Sequence, residues 1–181
     1  LRDNSLRLQR LIENLLSYSE WHSRRGVLDL DQVQLPALVS ATLETYHLPI
    51  SAHLLQLVRQ ADDVTLVADR AKLRLILDNL VSNAVKFTPE GGTITLRGRS
   101  EGGEVIIEVA DSGPGIPSAE RGRVFEAFYQ GATPHGGLVR GTGIGLSVVQ
   151  EFVQAHGGTI EIVDGEFPGA HFRVRLPIAI S

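Results

Sequence analysis

Residues 93–111, TITLRGRSEGGEVIIEVAD, constrain the fold most, because two runs of strand composition, 93–100 and 104–111, are separated only by Glu101, Gly102 and Gly103. A link that short joins antiparallel neighbours, and glycines supply the backbone freedom that tight hairpin turns need. A lone hairpin is not stable in water, so further strands and a covering layer must come from elsewhere in the chain. Apolar segments at 54–58 (LLQLV) and 64–68 (VTLVA), and the alternating stretches GTIEIVDG and AHFRVRLPI that follow His156, supply the strands. Helical patterning runs from Asp69, a suitable N-cap, to about Phe87, and again from about Ile144 to His156. Most links between strands are hairpins and not helical crossovers. The chain therefore predicts an α+β fold: a two-layer α/β sandwich with one mixed, mainly antiparallel sheet and helices on one face.

One long helix precedes this unit. Leu1, Leu8 and Leu15 stand seven apart, with Leu11 and Tyr18 between them in heptad phase and Ile12 and Leu16 widening the stripe. Such a stripe packs against a partner helix, from upstream sequence or a second chain, or folds back on its own domain. Gly26 ends the helix, VLDLDQV reads as a short strand or linker, and Pro36 opens a helical stretch to about Tyr46. The expected division is thus residues 1–26 and residues 30–181. From Ser112 to Gly143 the chain is rich in glycine and proline, with one short helical piece around Ser118–Phe125.

Composition excludes several classes of function. A net charge of −4 gives no general attraction to nucleic acid or an anionic membrane, so any phosphate binding must be local. The absence of cysteine rules out disulfides and thiolate metal sites. No apolar run approaches the roughly 18 residues that span a bilayer. With no methionine at all among 181 residues, the chain is expected to be a piece of a longer protein.

Three segments carry groups suited to chemistry. Asn79, Asn83 and Lys86 fall at i, i+4 and i+7 on the helix that starts at Asp69, forming one polar stripe. An asparagine oxygen suits Mg²⁺ and a lysine suits phosphate, although a solvated helix face has the same pattern. DSGPGI (111–116) puts a carboxylate at a strand end, followed by Gly113 and Gly115, which allow close approach of a flat ligand or simply a turn. GTGIGLS (141–147) runs Gly141, Gly143 and Gly145 straight into a helix, so backbone N–H groups and the positive helix end could face an anion. It lacks the lysine and serine or threonine of a P-loop. Residues 129–140 have little core-forming content and read as a mobile lid, under which Phe125 and Phe128 would pack, and Arg140 could reach a terminal phosphate.

In this order, NLVSNAVKFT, DSGPGI, FEAFY and GTGIGLS resemble the N, G1, F and G2 boxes of the sensor histidine kinases. The likeness continues through HGGTI and GAHFRVRLP, covering roughly residues 30–178, and RLIENLLSYS resembles the second helix of the family's dimerisation and phosphotransfer hairpin. The resemblance implies the Bergerat ATP-binding fold, with ATP and Mg²⁺ as cofactors. Carried over by position, Asn83 would bind the metal, and Asn79 and Lys86 would support metal and phosphates. Asp111 would receive the adenine amine. Gly113, Gly115 and Ile116 would face the base, while Gly141, Thr142, Gly143, Gly145 and Leu146 would line the phosphates, with Arg140 beside them. Asn79 stands where the superfamily's ATPases have a water-activating glutamate, which favours transfer over hydrolysis.

The acceptor motif is missing, since none of His22, His47, His53, His135, His156 or His171 has the acidic and Arg-Thr-Pro neighbours of the family's phosphoacceptor. The resemblance therefore implies transfer to a histidine on a dimerisation domain outside this sequence, and relay to the receiver domain of a response regulator. It also implies a homodimeric parent without nucleic-acid partners, and a cytoplasmic position in an inner-membrane-anchored sensor. A serine kinase of the anti-sigma-factor type, or a GHKL ATPase or nucleotide-binding switch module, shares the same boxes.

Overall fold

In the computed structural model, which describes residues 2–23, 26–126 and 145–179, the elements run in this order: α1 (Arg2–Ser23), β1 (Leu30–Gln34), α2 (Leu35–Thr45), α3 (His47–Ala52), β2 (Gln56–Ala61), β3 (Thr65–Asp69), α4 (Arg70–Phe87), β4 (Thr93–Glu101), β5 (Glu104–Asp111), α5 (Gly145–Ala155), β6 (Thr159–Ile162) and β7 (His171–Pro177). β4 and β5 form the expected hairpin, with Gly102 and Gly103 turning at φ +60° and +81°. β7 pairs antiparallel with β5, β6 antiparallel with β7, and β2 parallel with β4. The resulting order, β2-β4-β5-β7-β6, is mixed and mainly antiparallel, as the link lengths predict.

Two details differ from the sequence expectation. β1 and β3 do not join the large sheet but pair with each other as a separate antiparallel ribbon. β3 runs directly into α4 through Asp69, so its direction is set by a helix that lies on the sheet and not in it. The helical piece expected over Ser118–Phe125 is a 3-10 turn at Ser118–Glu120 followed by turns, in keeping with Gly122 and the lack of an apolar period.

Helix α4 begins where the sequence places its cap. The Asp69 carboxylate accepts from Lys72 N at 3.2 Å and from Asp29 N at 2.9 Å, while its own N–H donates to His156 Nε2 at 3.0 Å. Burial pushes the Asp69 carboxyl up, but the hydrogen bonds from Asp29 and Lys72 outweigh it and hold the group below its usual range. His156, at the end of α5, thereby ties the two covering helices together. On α4, Leu73, Ile76, Leu77, Leu80, Val81 and Ala84 form the apolar stripe; they pack with Val149 and Phe152 of α5 over Leu96, Ile107 and Val174 of the sheet. Each large side chain buried in this way contributes about 1.5–3 kcal/mol.

The opposite sheet face is polar. Glu108 of β5 is buried at 1% exposure and accepts from Arg97 Nε (2.9 Å), Arg99 Nη1 (3.1 Å) and Arg173 Nε (2.7 Å), with His171 Nε2 at 3.2 Å. Burial pushes its carboxyl up, yet the bonds from Arg173 and Arg99 and the charge of Arg97 hold it at about 2.

Helix α1 folds back on its own domain through part of its length. Leu11 and Trp21 pack on the core, Trp21 meeting Phe152 edge-on at 5.7 Å between ring centroids, and His22 Nε2 lies 3.1 Å from Glu151 Oε1. Leu8, Ile12, Leu15 and Leu16 stay exposed, so most of the heptad stripe faces solvent.

Candidate functional site

β5 ends at Asp111, which is only 6% exposed, and the backbone closes around it. Its N–H donates to Ala170 O at 2.9 Å, and its carbonyl accepts from Gly169 N at 3.1 Å. Oδ1 accepts from Gly113 N at 2.9 Å and Ala170 N at 3.0 Å. Both of these bonds fall on one oxygen, and among the described residues no hydrogen bond engages Oδ2. Burial raises the carboxyl above its usual range, opposed by the bonds from Gly113 and Ala170.

The glycines around this carboxylate are required by contact. A Cβ on Gly113 would lie 2.6 Å from Phe87 O, at the end of α4, and one on Gly169 would lie 2.1 Å from Asp111 Oδ1. Gly115 sits at φ +78°, where a side chain is strained. Gly169 and Ala170 are part of the site yet carry no local signal, because their role depends on a contact with a distant strand. Ile116 is half-buried against the core, and its carbonyl accepts from Arg121 Nε at 3.2 Å; Arg121 in turn grips Asp164, Nη2 to Oδ1 at 2.7 Å. Phe125 packs edge-on against Phe172, with centroids 6.3 Å apart; the segment under which it is expected to pack lies outside the described residues.

The stripe on α4 is not an open helix face. Asn79 is 2% exposed, and its amide exchanges hydrogen bonds with Asn14 of α1: Asn14 Nδ2 to Asn79 Oδ1 at 2.9 Å and Asn79 Nδ2 to Asn14 Oδ1 at 3.0 Å. Gly145, the first residue of α5, adjoins the same amide, since a Cβ there would stand 2.7 Å from Asn79 Oδ1. The structure thus brings Asn79 of the polar stripe and the third glycine of GTGIG together. Leu146 is half-buried against the core. Asn83, one turn along α4, is half-buried.

Lys86 lines a cleft of about 180 Å³ shared with Arg7 and Arg10 of α1, Tyr46 and His53. Burial, and then the charges of Arg7 and Arg10, pull its ammonium down to about 8. Among the described residues no cluster of three His, Cys, Asp or Glu could cage a metal. Asn83 beside Lys86 fits a cation that arrives with its own phosphate ligands and keeps much of its water. Phe128, residues 129–140 with Arg140, and Gly141, Thr142 and Gly143 lie outside the described residues.

Residues 68–180 match the model of the "Histidine kinase-, DNA gyrase B-, and HSP90-like ATPase" family. Among curated proteins the chain is 36% identical to the sensor histidine kinase QseE of Escherichia coli O157:H7, over 98% of this chain and 37% of that protein's length. Among solved structures it is similar to the catalytic domain of the histidine kinase ThkA, with TM-score 0.74 and 26% identity over 84% of this chain and 97% of that one. It is also similar to full-length ShkA in complex with AMPPNP, with TM-score 0.81 and 30% identity over 99% of this chain and 38% of that one. A third similar structure is the histidine kinase ThkA in complex with the response regulator protein TrrA, with TM-score 0.76 and 26% identity over 94% of this chain and 48% of that one.

Proposed function

Because this chain belongs to the family of histidine kinase-, DNA gyrase B- and HSP90-like ATPases, as the ATP-binding catalytic domain of a sensor histidine kinase, we propose that it binds Mg·ATP and donates the γ-phosphoryl group to a histidine on a dimerisation domain of its parent. The observation that carries this reading is Asp111, buried at a strand end with one carboxylate oxygen held by two backbone N–H groups and the other left to accept from the exocyclic amine of adenine. Gly113, Gly115 and Ile116 border the base. Gly145 and Leu146 open α5, and with Gly141, Thr142, Gly143 and Arg140 they would hold the phosphates.

Asn83 would hold Mg²⁺, which when bound offsets charge on the phosphates, and Lys86 supports the same end of the nucleotide. Transfer breaks the bond between the γ-phosphorus and the bridging oxygen of ADP and forms one to an imidazole nitrogen. Asn79 bears no carboxylate to deprotonate water, which supports transfer over hydrolysis.

Residues 1–26 would be the C-terminal part of the second helix of the dimerisation and phosphotransfer hairpin, and residues 30–181 the catalytic unit. The exposed stripe of Leu8, Ile12, Leu15 and Leu16 supports a partner helix in a homodimeric parent. The phosphoryl group would pass on to an aspartate of a response-regulator receiver domain, a partnership that the ThkA–TrrA complex makes concrete for a relative. No described helix is long and apolar enough to cross a membrane. The parent would be anchored in the inner membrane by segments outside this sequence, with this domain on the cytoplasmic side.

The test is to incubate the chain with Mg·ATP and the parent's helical hairpin as a separate polypeptide. Acid-labile phosphate on the hairpin and none on the chain supports the reading. Label on one of the chain's own histidines, or rapid release of inorganic phosphate, would contradict it.

A further inference from the structure

Helix α1 leaves Leu8, Ile12, Leu15 and Leu16 in solvent and buries Asn14 completely. A buried carboxamide without partners is costly, because it gives up its hydrogen bonds to water, so α1 is stable there only where the amide is matched. The match is Asn79. The two amides exchange bonds at 2.9 and 3.0 Å, and the second N–H of Asn79 goes to Leu75 O at 2.8 Å. Gly145 lies against Asn79 Oδ1, where even one added carbon would stand at 2.7 Å. While α1 is docked, every polar group of Asn79 is engaged or covered.

Apolar contact alone would let a helix slide or rotate on its neighbour. A reciprocal asparagine pair tolerates one register and is lost when the helix shifts. The pair sits at the point where α4 meets the first turn of α5, the end of the site assigned above to phosphates and metal.

We propose that Asn14 is a positioning residue that acts through Asn79: docked α1 withholds the Asn79 amide from the phosphate and metal end of the nucleotide, so docking of α1 and binding of Mg·ATP oppose each other. This rests on the reading of Asn79 as a residue of the nucleotide site. The opposition is reciprocal, so whatever factor docking costs in nucleotide affinity, bound nucleotide imposes on docking. A merely structural Asn14 has the other sign, since its loss would loosen the fold and weaken binding.

The chain carries its own reporter. Trp21 is its single tryptophan, and it packs between Phe152, at 5.7 Å, and Lys72 Nζ, at 5.1 Å, only when α1 is docked. Asn14→Ala should bind Mg·ATP about 5-fold or more tightly than the parent chain by calorimetry. Its Trp21 emission without nucleotide should be shifted to the red, and saturating Mg·ATP should produce the same shift in the parent chain. Asn14→Gln, which keeps an amide at the wrong reach, should fall between, and it carries the test if the alanine variant folds poorly. Equal or weaker nucleotide binding by both variants, or a parent emission that is blind to nucleotide, overturns the proposal. Failure of the parent chain itself to bind Mg·ATP overturns the nucleotide reading and this inference with it, and is told apart by the absence of any titration in the unsubstituted protein.

Discussion

Gly169 and Asp111 meet without room for a side chain between them: Gly169 N donates to Asp111 O at 3.1 Å, and a Cβ at 169 would stand 2.1 Å from Asp111 Oδ1. The carboxylate assigned to the base is thus aimed by a residue on the loop before β7. Gly169→Ala should push it off its bonds to Gly113 and Ala170 and weaken nucleotide binding at least about 10-fold, with an overpacking cost of about 1–3 kcal/mol. Calorimetry together with thermal unfolding separates the two effects. Full affinity in a folded variant would mean that this contact does not position Asp111.

A second expectation concerns pH. Lys86 titrates at about 8, pulled down by burial and by Arg7 and Arg10, so its charge is present below that value and lost above it. Affinity for Mg·ATP should therefore fall as pH rises through 8, more than two units before an ordinary lysine would matter. Lys86→Arg stays charged and should flatten the profile. A parent profile that is flat between pH 7 and 9 would remove Lys86 from the phosphate end.

Glu108 lies on the far side of the sheet and should govern stability without touching binding. Its folded-state carboxyl is held at about 2 against 4.5 unperturbed, so its contribution is present above 4.5 and drains away as pH falls toward 2. Glu108→Ala leaves Arg97, Arg99 and Arg173 facing one another, and should cost about 3 kcal/mol, the low end for a broken buried pair because the guanidiniums are partly exposed. Denaturant unfolding at pH 7 and at pH 3 checks this. A variant as stable as the parent at pH 7, or a loss that is equal at both values, would count against it.

How much of this was legible in the sequence depended on whether the cause was local. The hairpin of β4 and β5 follows from Gly102 and Gly103, and the start of α4 from Asp69, because turn and cap chemistry lie within a few residues. The pairing of β1 with β3 was not legible, since a short apolar run does not say which edge it will join. Asn14 reads as one polar residue on an amphipathic helix, and only the tertiary contact with Asn79 buries it. Gly169 is one of four glycines between 157 and 169 that a contact or a positive φ explains only in three dimensions. Glu108 did leave a trace: it interrupts EVIIEVAD on the same alternation that sets Arg97 and Arg99 on β4 and Arg173 on β7, a pattern of cross-strand pairs.

Whether Asp111 reads adenine is decided by the affinities of Mg·ATP and Mg·GTP for the parent chain and for Asp111→Asn. The asparagine keeps an oxygen for the N–H groups of Gly113 and Ala170 but turns the other position from acceptor to donor, while guanine presents an oxygen where adenine presents an amine. The parent should bind ATP and discriminate against GTP, and the variant should lose about 100-fold in ATP affinity along with that preference. An Asp111→Asn protein that binds ATP as tightly as the parent, with the same ratio to GTP, would mean that Asp111 does not read the base.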